Sequence, residues 1–185
     1  MSAGMIPFSV FKGEVYFLFQ KTFSGRKQGY LIDFGGGGDE GESYQQTAMR
    51  EFVEETETLF FADDINSARR TPERVLAQLS VIENVFSKTL TAHPDWWCQR
   101  HTGNKVIPKD WRTFFIEVDY QDTSPLNKIW ENDSVGRFKK RRELQWVLAD
   151  ELLEIYQNQP ERLWKRVRQL IGVEKIIEDI KAAKN

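Results

Sequence analysis

The spacing of apolar residues changes along the chain, and each spacing predicts a different element. Apolar and polar residues alternate between positions 5 and 20, with a polar break at Lys12-Gly13-Glu14. This pattern predicts two strands joined by a tight turn. Short apolar runs predict further strands at 30–34, 113–120 and 144–148.

Helical spacing occurs in several other segments. Ser43 is suited to cap a helix over residues 44–56, and Thr71-Pro72 opens a second one with proline in its first turn. Helices are also expected at 149–156, 161–171 and 174–183. Strands and helices thus alternate before a helical tail, which predicts an α/β fold with helices on both faces of a mixed sheet.

Three segments lack either spacing. Residues 35–42 form a glycine-rich run that we expect to be a loop rather than a regular strand. Residues 93–110 predict an irregular loop rich in aromatic residues. Residues 122–142 are polar and end in a basic cluster.

Composition narrows the class of protein. The 185 residues suit one domain over 1–185, with the helical tail at about 149–185, and 40% hydrophobic residues exclude wholesale disorder. A net charge of −2 gives no reason to expect a stable nucleic-acid partner. Cys98 is the only cysteine, so an internal disulfide is excluded. No apolar run of membrane-spanning length and no signal peptide are present, so we expect no membrane association and a cytoplasmic location.

The densest cluster of candidate chemistry is an acidic face on the helix at 44–56. Each helical residue advances by about 100°, so Glu51, Glu54 and Glu55 share an arc of about 100°. Such carboxylates repel one another unless cations lie between them. Mg²⁺ prefers oxygen ligands and is held by one or two carboxylates together with substrate phosphates. The preceding glycines would let the backbone approach both metal and phosphate.

The order of these residues resembles the Nudix box, which reads Gly, five residues, Glu, seven residues, Arg-Glu-apolar-any-Glu-Glu-any-Gly-apolar. The matching positions are Gly36, Glu42, Arg50, Glu51, Phe52, Glu54 and Glu55, within a box at 36–58. Two positions depart from the pattern: Glu57 replaces the second glycine and Thr58 replaces the apolar residue. That glycine ends the helix in the family, so we expect this helix to end differently.

The resemblance implies an α/β/α sandwich around a mixed β-sheet, here with extra C-terminal helices. It also implies a Mg²⁺-dependent hydrolase, with Mn²⁺ as an alternative, that cleaves the diphosphate linkage of a nucleoside diphosphate derivative or another phosphorylated metabolite. Glu51 and Glu55 would bind the metal, Glu54 would do so directly or through water, and a carbonyl at Gly36 would complete the shell. Glu42 and Arg50 would form a supporting ion pair. The catalytic base stays open among Glu54, Glu55 and Glu143.

Two further groups are candidates for substrate binding. One is a basic run of Arg137, Lys139, Lys140, Arg141 and Arg142, which is either a phosphate clamp or a solvated loop. Its surroundings, residues 130–146, weakly resemble diphosphoinositol polyphosphate phosphohydrolases at Trp130-Glu131, Ser134–Arg137 and Lys140–Glu143. The other is Trp96-Trp97, which would either stack on a base or anchor a loop on the core.

A function of a different class stays open. The chain would then be an inactive Nudix-fold module that senses a nucleotide or binds a protein. Loss of box carboxylates is the usual mark of such a module, and all of them are present here. The expected partner is therefore a small phosphorylated substrate, and a homodimer is compatible with the sequence.

Overall fold

The structure, a computed structural model, describes residues 1–66, 68, 71–102, 105–136, 138 and 141–184, with backbone alone at 102 and 105–109. The strands are β1 (Ser2–Phe11), β2 (Glu14–Thr22), β3 (Phe34–Gly37), β4 (Trp97–Thr102), β5 (Lys105–Glu117) and β6 (Arg142–Leu148). The helices are α1 (Tyr44–Glu55), α2 (Pro72–Ala92), α3 (Ser124–Glu131), α4 (Ala149–Asn158), α5 (Lys165–Arg168) and α6 (Val173–Lys184), with a 3₁₀ turn at Pro160–Arg162.

The strands form one mixed sheet in the order β4-β5-β1-β2-β6, with β3 paired to β1. The β1–β5 pair is parallel, and the other pairs are antiparallel. One face of the sheet packs against α1, α2 and α3, and the other packs against α4, α5 and α6. This arrangement confirms the predicted α/β sandwich around a mixed sheet.

The first predicted hairpin is confirmed. β1 and β2 pair in antiparallel register from Phe8↔Phe17 to Phe11↔Glu14. Lys12 and Gly13 both have positive φ, at 52° and 80°, as a two-residue turn between twisted strands requires. This hairpin carries β2 to Gln20, which reaches the candidate site.

The glycine run corrects one expectation. It begins as the strand β3, which pairs with Ser2–Met5 of β1, and is not a loop throughout. A Cβ on Gly35 would lie 2.5 Å from the carbonyl oxygen of Ala3 and 2.5 Å from Cα of Gly4. Glycine is therefore what allows β3 to approach β1 so closely. The predicted strand at 30–34 is present as isolated bridges at Leu31 and Ile32, and its last residue, Phe34, begins β3.

The segment predicted as an irregular loop, and the polar segment at 122–142, also contain regular elements. Residues 93–110 contain β4 and the first part of β5, which form an antiparallel hairpin at the sheet edge. Trp96 and Cys98 face one core while Trp97 faces the other, an alternation typical of a strand. Within 122–142, α3 is anchored by Leu126 and Trp130. These two residues are four positions apart, which places both on the buried side of the helix.

The tail follows the prediction at both ends but not in its middle. α4 and α6 are confirmed, whereas the helix expected at 161–171 is reduced to a 3₁₀ turn and the four-residue α5. Leu163 and Val167 of this segment are fully buried against the sheet. Among the described residues, no helix has the length and hydropathy needed to cross a membrane.

Candidate active site

The acidic helix α1 begins with a capping box. The Ser43 side chain accepts a hydrogen bond from the Gln46 backbone N–H, and the Gln46 side chain accepts one from Ser43 N–H. The buried side of α1 is apolar or small, with Thr47, Ala48, Met49, Phe52 and Val53. The opposite side carries Glu51, Glu54 and Glu55, as helical spacing predicts.

The C-terminus of α1 is a Schellman motif. Thr58 N–H donates to the carbonyl of Val53, and Glu57 N–H donates to the carbonyl of Glu54, both at 3.0 Å. Glu57 has φ 52° and Thr58 has φ 61°, so Glu57 adopts the left-handed conformation usual for glycine. The chain therefore ends α1 with a left-handed residue although glutamate stands where the family pattern has glycine.

Arg50 organises the loop before α1. Its Nε donates to Oε1 of Glu42 at 2.7 Å and its Nη2 donates to Oε2 at 3.1 Å, which makes a bidentate pair. Nη2 also donates to the carbonyl of Gly37 at 2.8 Å. Hydrogen bonding from Arg50 lowers the pKa of Glu42 to about 2. The loop that carries Gly36 is thus fixed to the helix that carries the other glutamates.

Glu51 lies between the backbone of Gly36 and Arg50. A Cβ on Gly36 would stand 2.4 Å from Glu51 Oε1, so only glycine permits this carboxylate to occupy its position. Arg50 Nη1 donates to the same oxygen at 3.1 Å and lies 3.5 Å from Oε2 of Glu54. Burial raises the pKa of Glu51, Glu55 adds to the rise, and Arg50 opposes it.

Glu55 is held from three strands. Its Oε2 accepts hydrogen bonds from Gly35 N–H in β3 at 2.8 Å and from Gln20 Nε2 in β2 at 2.6 Å. Its Oε1 lies 3.5 Å from Arg142 Nη1 in β6. Arg142 Nη1 also donates to Gln20 Oε1, and Gln20 is fully buried. Gln20 therefore joins β2, β6 and the box helix through a single amide.

A buried ion pair lies behind this amide. Arg166 of α5 donates from Nε to Asp33 Oδ1 at 2.6 Å and from Nη2 to the Asp33 carbonyl at 3.1 Å. The same carbonyl accepts from Gln20 Nε2 at 3.1 Å. The Asp33 carboxylate is fully buried, and Arg166 also lies 4.4 Å above the ring of Trp111. The C-terminal tail is thereby linked through Asp33 and Gln20 to Glu55.

The donor set fits a hard divalent cation. Glu51, Glu54 and Glu55 offer carboxylate oxygens beside the Gly36 backbone, and Mg²⁺ prefers oxygen ligands. Over the described part of the chain, no group of three or more acidic, His or Cys side chains is placed to hold a metal ion by itself. An open site of that kind suits Mg²⁺, which keeps waters and takes phosphate oxygens as further ligands.

Glu143 is separated from the box glutamates. In β6 its neighbour Arg142 faces Glu55, and side chains alternate between the faces of a strand. Glu143 therefore projects toward the opposite face, the side on which Val147 is buried. The structure brings Arg142 to the box and does not bring Glu143 there.

The predicted substrate-binding residues divide into three groups. Arg137, Lys139 and Lys140 lie outside the described residues. Arg141 is exposed, with its guanidinium 4.2 Å above the ring of Phe23. Arg142 is buried and contacts Gln20 and Glu55.

Neither tryptophan lies beside Glu55. Trp96 is only 3% exposed and packs edge-on against Phe8, which agrees with an anchor on the core rather than a stacking surface for a base. Trp97 is half-buried, and the guanidinium of Arg112 lies between its ring and that of Tyr44. Tyr44 begins α1 and Glu55 ends it, so Trp97 lies near the opposite end of the helix from Glu55.

The sequence reasoning missed Gln20, Asp33, Lys27 and Arg166. Asp33 left the clearest signal, because a lone carboxylate between Ile32 and Phe34 interrupts an apolar run and needs a buried cation. Gln20 follows an apolar strand without any distinguishing spacing. Lys27 is half-buried, and burial followed by the charge of Arg166 lowers its pKa.

Comparisons with known proteins bear on the fold of the chain. No protein-family model matches the chain, and a comparison with curated sequences finds no match. Among solved structures, a C. elegans Ap4A hydrolase in a binary complex matches with a TM-score of 0.50 at 13% identity, covering 99% of this chain and 97% of that one. A NUDIX hydrolase from Alicyclobacillus acidocaldarius matches with a TM-score of 0.46 at 15% identity, covering 100% and 91%. At 13% identity the likeness to the Ap4A hydrolase shows the fold alone, and that fold is the one of the Nudix hydrolases.

Proposed function

We propose that the chain is a Mg²⁺-dependent hydrolase that cleaves the diphosphate linkage of a small phosphorylated metabolite. The observation that carries this proposal is the fit of the Glu51 carboxylate against the Gly36 backbone, beside Glu54 and Glu55. A solvated acidic helix face has no need of a glycine at which an added Cβ would lie 2.4 Å from a carboxylate oxygen. The arrangement therefore supports a site for metal and phosphate.

The box residues have distinct parts in the proposed reaction. When bound, Mg²⁺ neutralises charge on the phosphates and lowers the pKa of the attacking water. Glu51 and Glu55 would hold the metal, and Glu54 would hold it directly or through water. Arg50 keeps the loop carbonyls and Glu51 in one orientation through its contacts with Glu42 and Gly37.

The covalent step is a substitution at phosphorus. The water oxygen forms a bond to one phosphorus atom, and the bridging P–O bond breaks with its electron pair leaving on the second phosphate. The proton of the water passes to a carboxylate. Since Glu143 projects from the other face of β6, we place this acceptor among the box glutamates, Glu54 or Glu55.

The substrate is proposed from a short range of compounds. Nucleoside diphosphate derivatives such as ADP-ribose contain one diphosphate, whereas Ap4A, the substrate in the name of the C. elegans enzyme, carries a longer phosphate chain. Both contain the linkage that the proposed reaction cleaves. Arg141 and Arg142 line a cavity together with Glu55.

A substrate panel tests the proposal directly. The purified protein is incubated with ADP-ribose, Ap4A and other mixed diphosphates, with Mg²⁺ or with EDTA, and released phosphate and nucleoside monophosphate are measured. Product with Mg²⁺ alone, and its loss by several powers of ten in Glu55→Gln with an unchanged circular dichroism spectrum, are the expected results. Full activity in Glu55→Gln would refute the assignment, and ligand binding without turnover on the whole panel would favour the non-catalytic module.

A further inference from the structure

A cavity of about 540 Å³ opens beside the box helix at the end of the sheet. Its volume falls in the range typical of small-molecule sites, about 300–1,000 Å³. The loop after β2 forms one wall and the start of β6 forms the other. The lining residues are Thr22, Phe23, Ser24, Gly25, Arg26, Lys27, Ile32, Glu55, Arg141 and Arg142.

Positive charge dominates this cavity. Four cations line it against the single carboxylate of Glu55, in a chain whose net charge is −2. Within the described residues, Arg26 and Lys27 have no ion-pair partner. Lys27 is half-buried and lies near two further cations, Arg166 and Arg142, and near two carboxylates, Glu55 and Asp33. Cations placed together in this way repel one another unless an anion joins them.

The cavity walls are held in place by contacts between the two segments. Arg141 packs its guanidinium on the ring of Phe23, which joins the β2 loop to β6. Lys27 lies 6.0 Å above the ring of Trp164, so the C-terminal tail supports the other side of the loop after β2. The cations therefore sit on a supported wall rather than on a free loop.

The cavity is continuous with the proposed reaction centre, because Glu55 is both a lining residue and a box glutamate. A phosphate chain that extends from Glu55 into the cavity, beyond the diphosphate at the box, would meet the wall that carries Arg26 and Lys27. A substrate with only two phosphates leaves these cations without an anion, whereas a longer phosphate chain supplies one.

We propose that the cavity formed by Arg26, Lys27, Arg141 and Arg142 is a subsite for a phosphate group beyond the diphosphate that is cleaved. The substrate class is then a molecule with a chain of three or more phosphates. This inference rests on the proposed hydrolysis at the box, but the binding subsite can be tested without turnover. Arg and Lys would hold the distal phosphate through charge-assisted hydrogen bonds.

The binding experiment uses inorganic tripolyphosphate, measured by calorimetry in EDTA so that no metal contributes. The test variant replaces Arg26 and Lys27 together by Gln, and the matched control replaces Arg74 and Lys88, exposed cations on α2 outside the cavity, in the same way. The subsite predicts that the control binds like wild type and that the test variant binds at least tenfold more weakly. Equal binding by all three proteins overturns the proposal.

The kinetic experiment compares Ap4A with ADP-ribose on the same three proteins in Mg²⁺. The subsite predicts a KM for Ap4A at least tenfold higher in the test variant, a change of less than twofold for ADP-ribose, and an unchanged kcat. An equal rise for both substrates overturns the subsite, because the cations would then act on the shared diphosphate. Absence of turnover in wild type counts against the proposed reaction alone, since the tripolyphosphate measurement still decides the subsite.

Discussion

Replacing Glu57 by Ala and, separately, by Gly isolates the cost of a left-handed residue at the end of the box helix. Glu57 occupies the C′ position of the Schellman motif with φ 52°, and its side chain is buried. Both substitutions remove that side chain and its contacts equally. The two variants therefore differ mainly in whether a Cβ stands on a left-handed backbone.

The expected difference follows from two opposing terms. A left-handed conformation costs an L-residue about 1–2 kcal/mol, and glycine escapes this cost. Glycine lowers the free energy of unfolding by about 0.4–1 kcal/mol relative to alanine, because the unfolded chain has more conformational freedom at a glycine. Glu57→Gly should thus be more stable than Glu57→Ala by roughly 1 kcal/mol, which for a chain of this length corresponds to about 2–4 °C in Tm.

Urea unfolding and thermal melts of both variants measure the difference. Glu83 is the matched control, because it is an exposed glutamate within α2, where glycine should be less stable than alanine by about 1 kcal/mol. The order of the two substitutions should therefore reverse between Glu57 and Glu83. An alanine variant at Glu57 as stable as the glycine variant would refute the left-handed assignment.

Three further predictions concern the site. Millimolar Mg²⁺ should add up to about 2.7 kcal/mol to the free energy of unfolding at a hundredfold excess over Kd, and should therefore raise Tm in a fluorescence melt. A Tm that neither Mg²⁺ nor Mn²⁺ changes would contradict the metal site. Without metal, the pKa of Glu51 is higher in the folded state than in the unfolded state, so the folded state keeps the Glu51 proton to higher pH. The stability that this proton contributes should therefore be lost as pH rises above about 4.5 and through the folded pKa. In urea titrations at a series of pH values, Glu51→Gln should make the free energy of unfolding fall less steeply with pH. An unchanged pH dependence in this variant would contradict the raised pKa of Glu51. Gln20→Leu should lower the free energy of unfolding by about 1–3 kcal/mol, because Arg142 and Glu55 lose a buried hydrogen-bond partner. It should also weaken Mn²⁺ binding measured by paramagnetic resonance. A wild-type Mn²⁺ affinity in this variant would show that Gln20 does not position Glu55.

Local signals predicted the parts of the site that are close in sequence. The capping residue Ser43, the acidic arc and the Glu42–Arg50 spacing lie within one loop and one helix, so helical geometry alone relates them. Thr71-Pro72 predicted the start of α2 for the same reason, since proline and a capping hydroxyl act within one turn.

Long-range pairing explains what the sequence did not predict. The glycine run becomes β3 because β1 lies beside it, and no residue within the run signals that neighbour. The strand β4 was hidden by the polar residues that follow Cys98, although Trp96 and Cys98 alternate with Trp97. Glu57 ends the helix in a left-handed conformation that glycine adopts more readily, and the sequence alone gave no sign that a glutamate would do so.

The pairing of Asp33 with Arg166 sets an order of events when the chain is synthesised. The two residues are separated by 133 positions, which at about 5–20 residues per second is roughly 7–27 seconds of translation. Burying a carboxylate without its cation costs several kcal/mol. In the nascent chain, Asp33 should therefore stay hydrated, and the sheet beside it should stay exposed to water, until α5 has emerged from the ribosome. A chain stalled before Arg166 would carry every box glutamate and still lack the cation that closes the interior behind them.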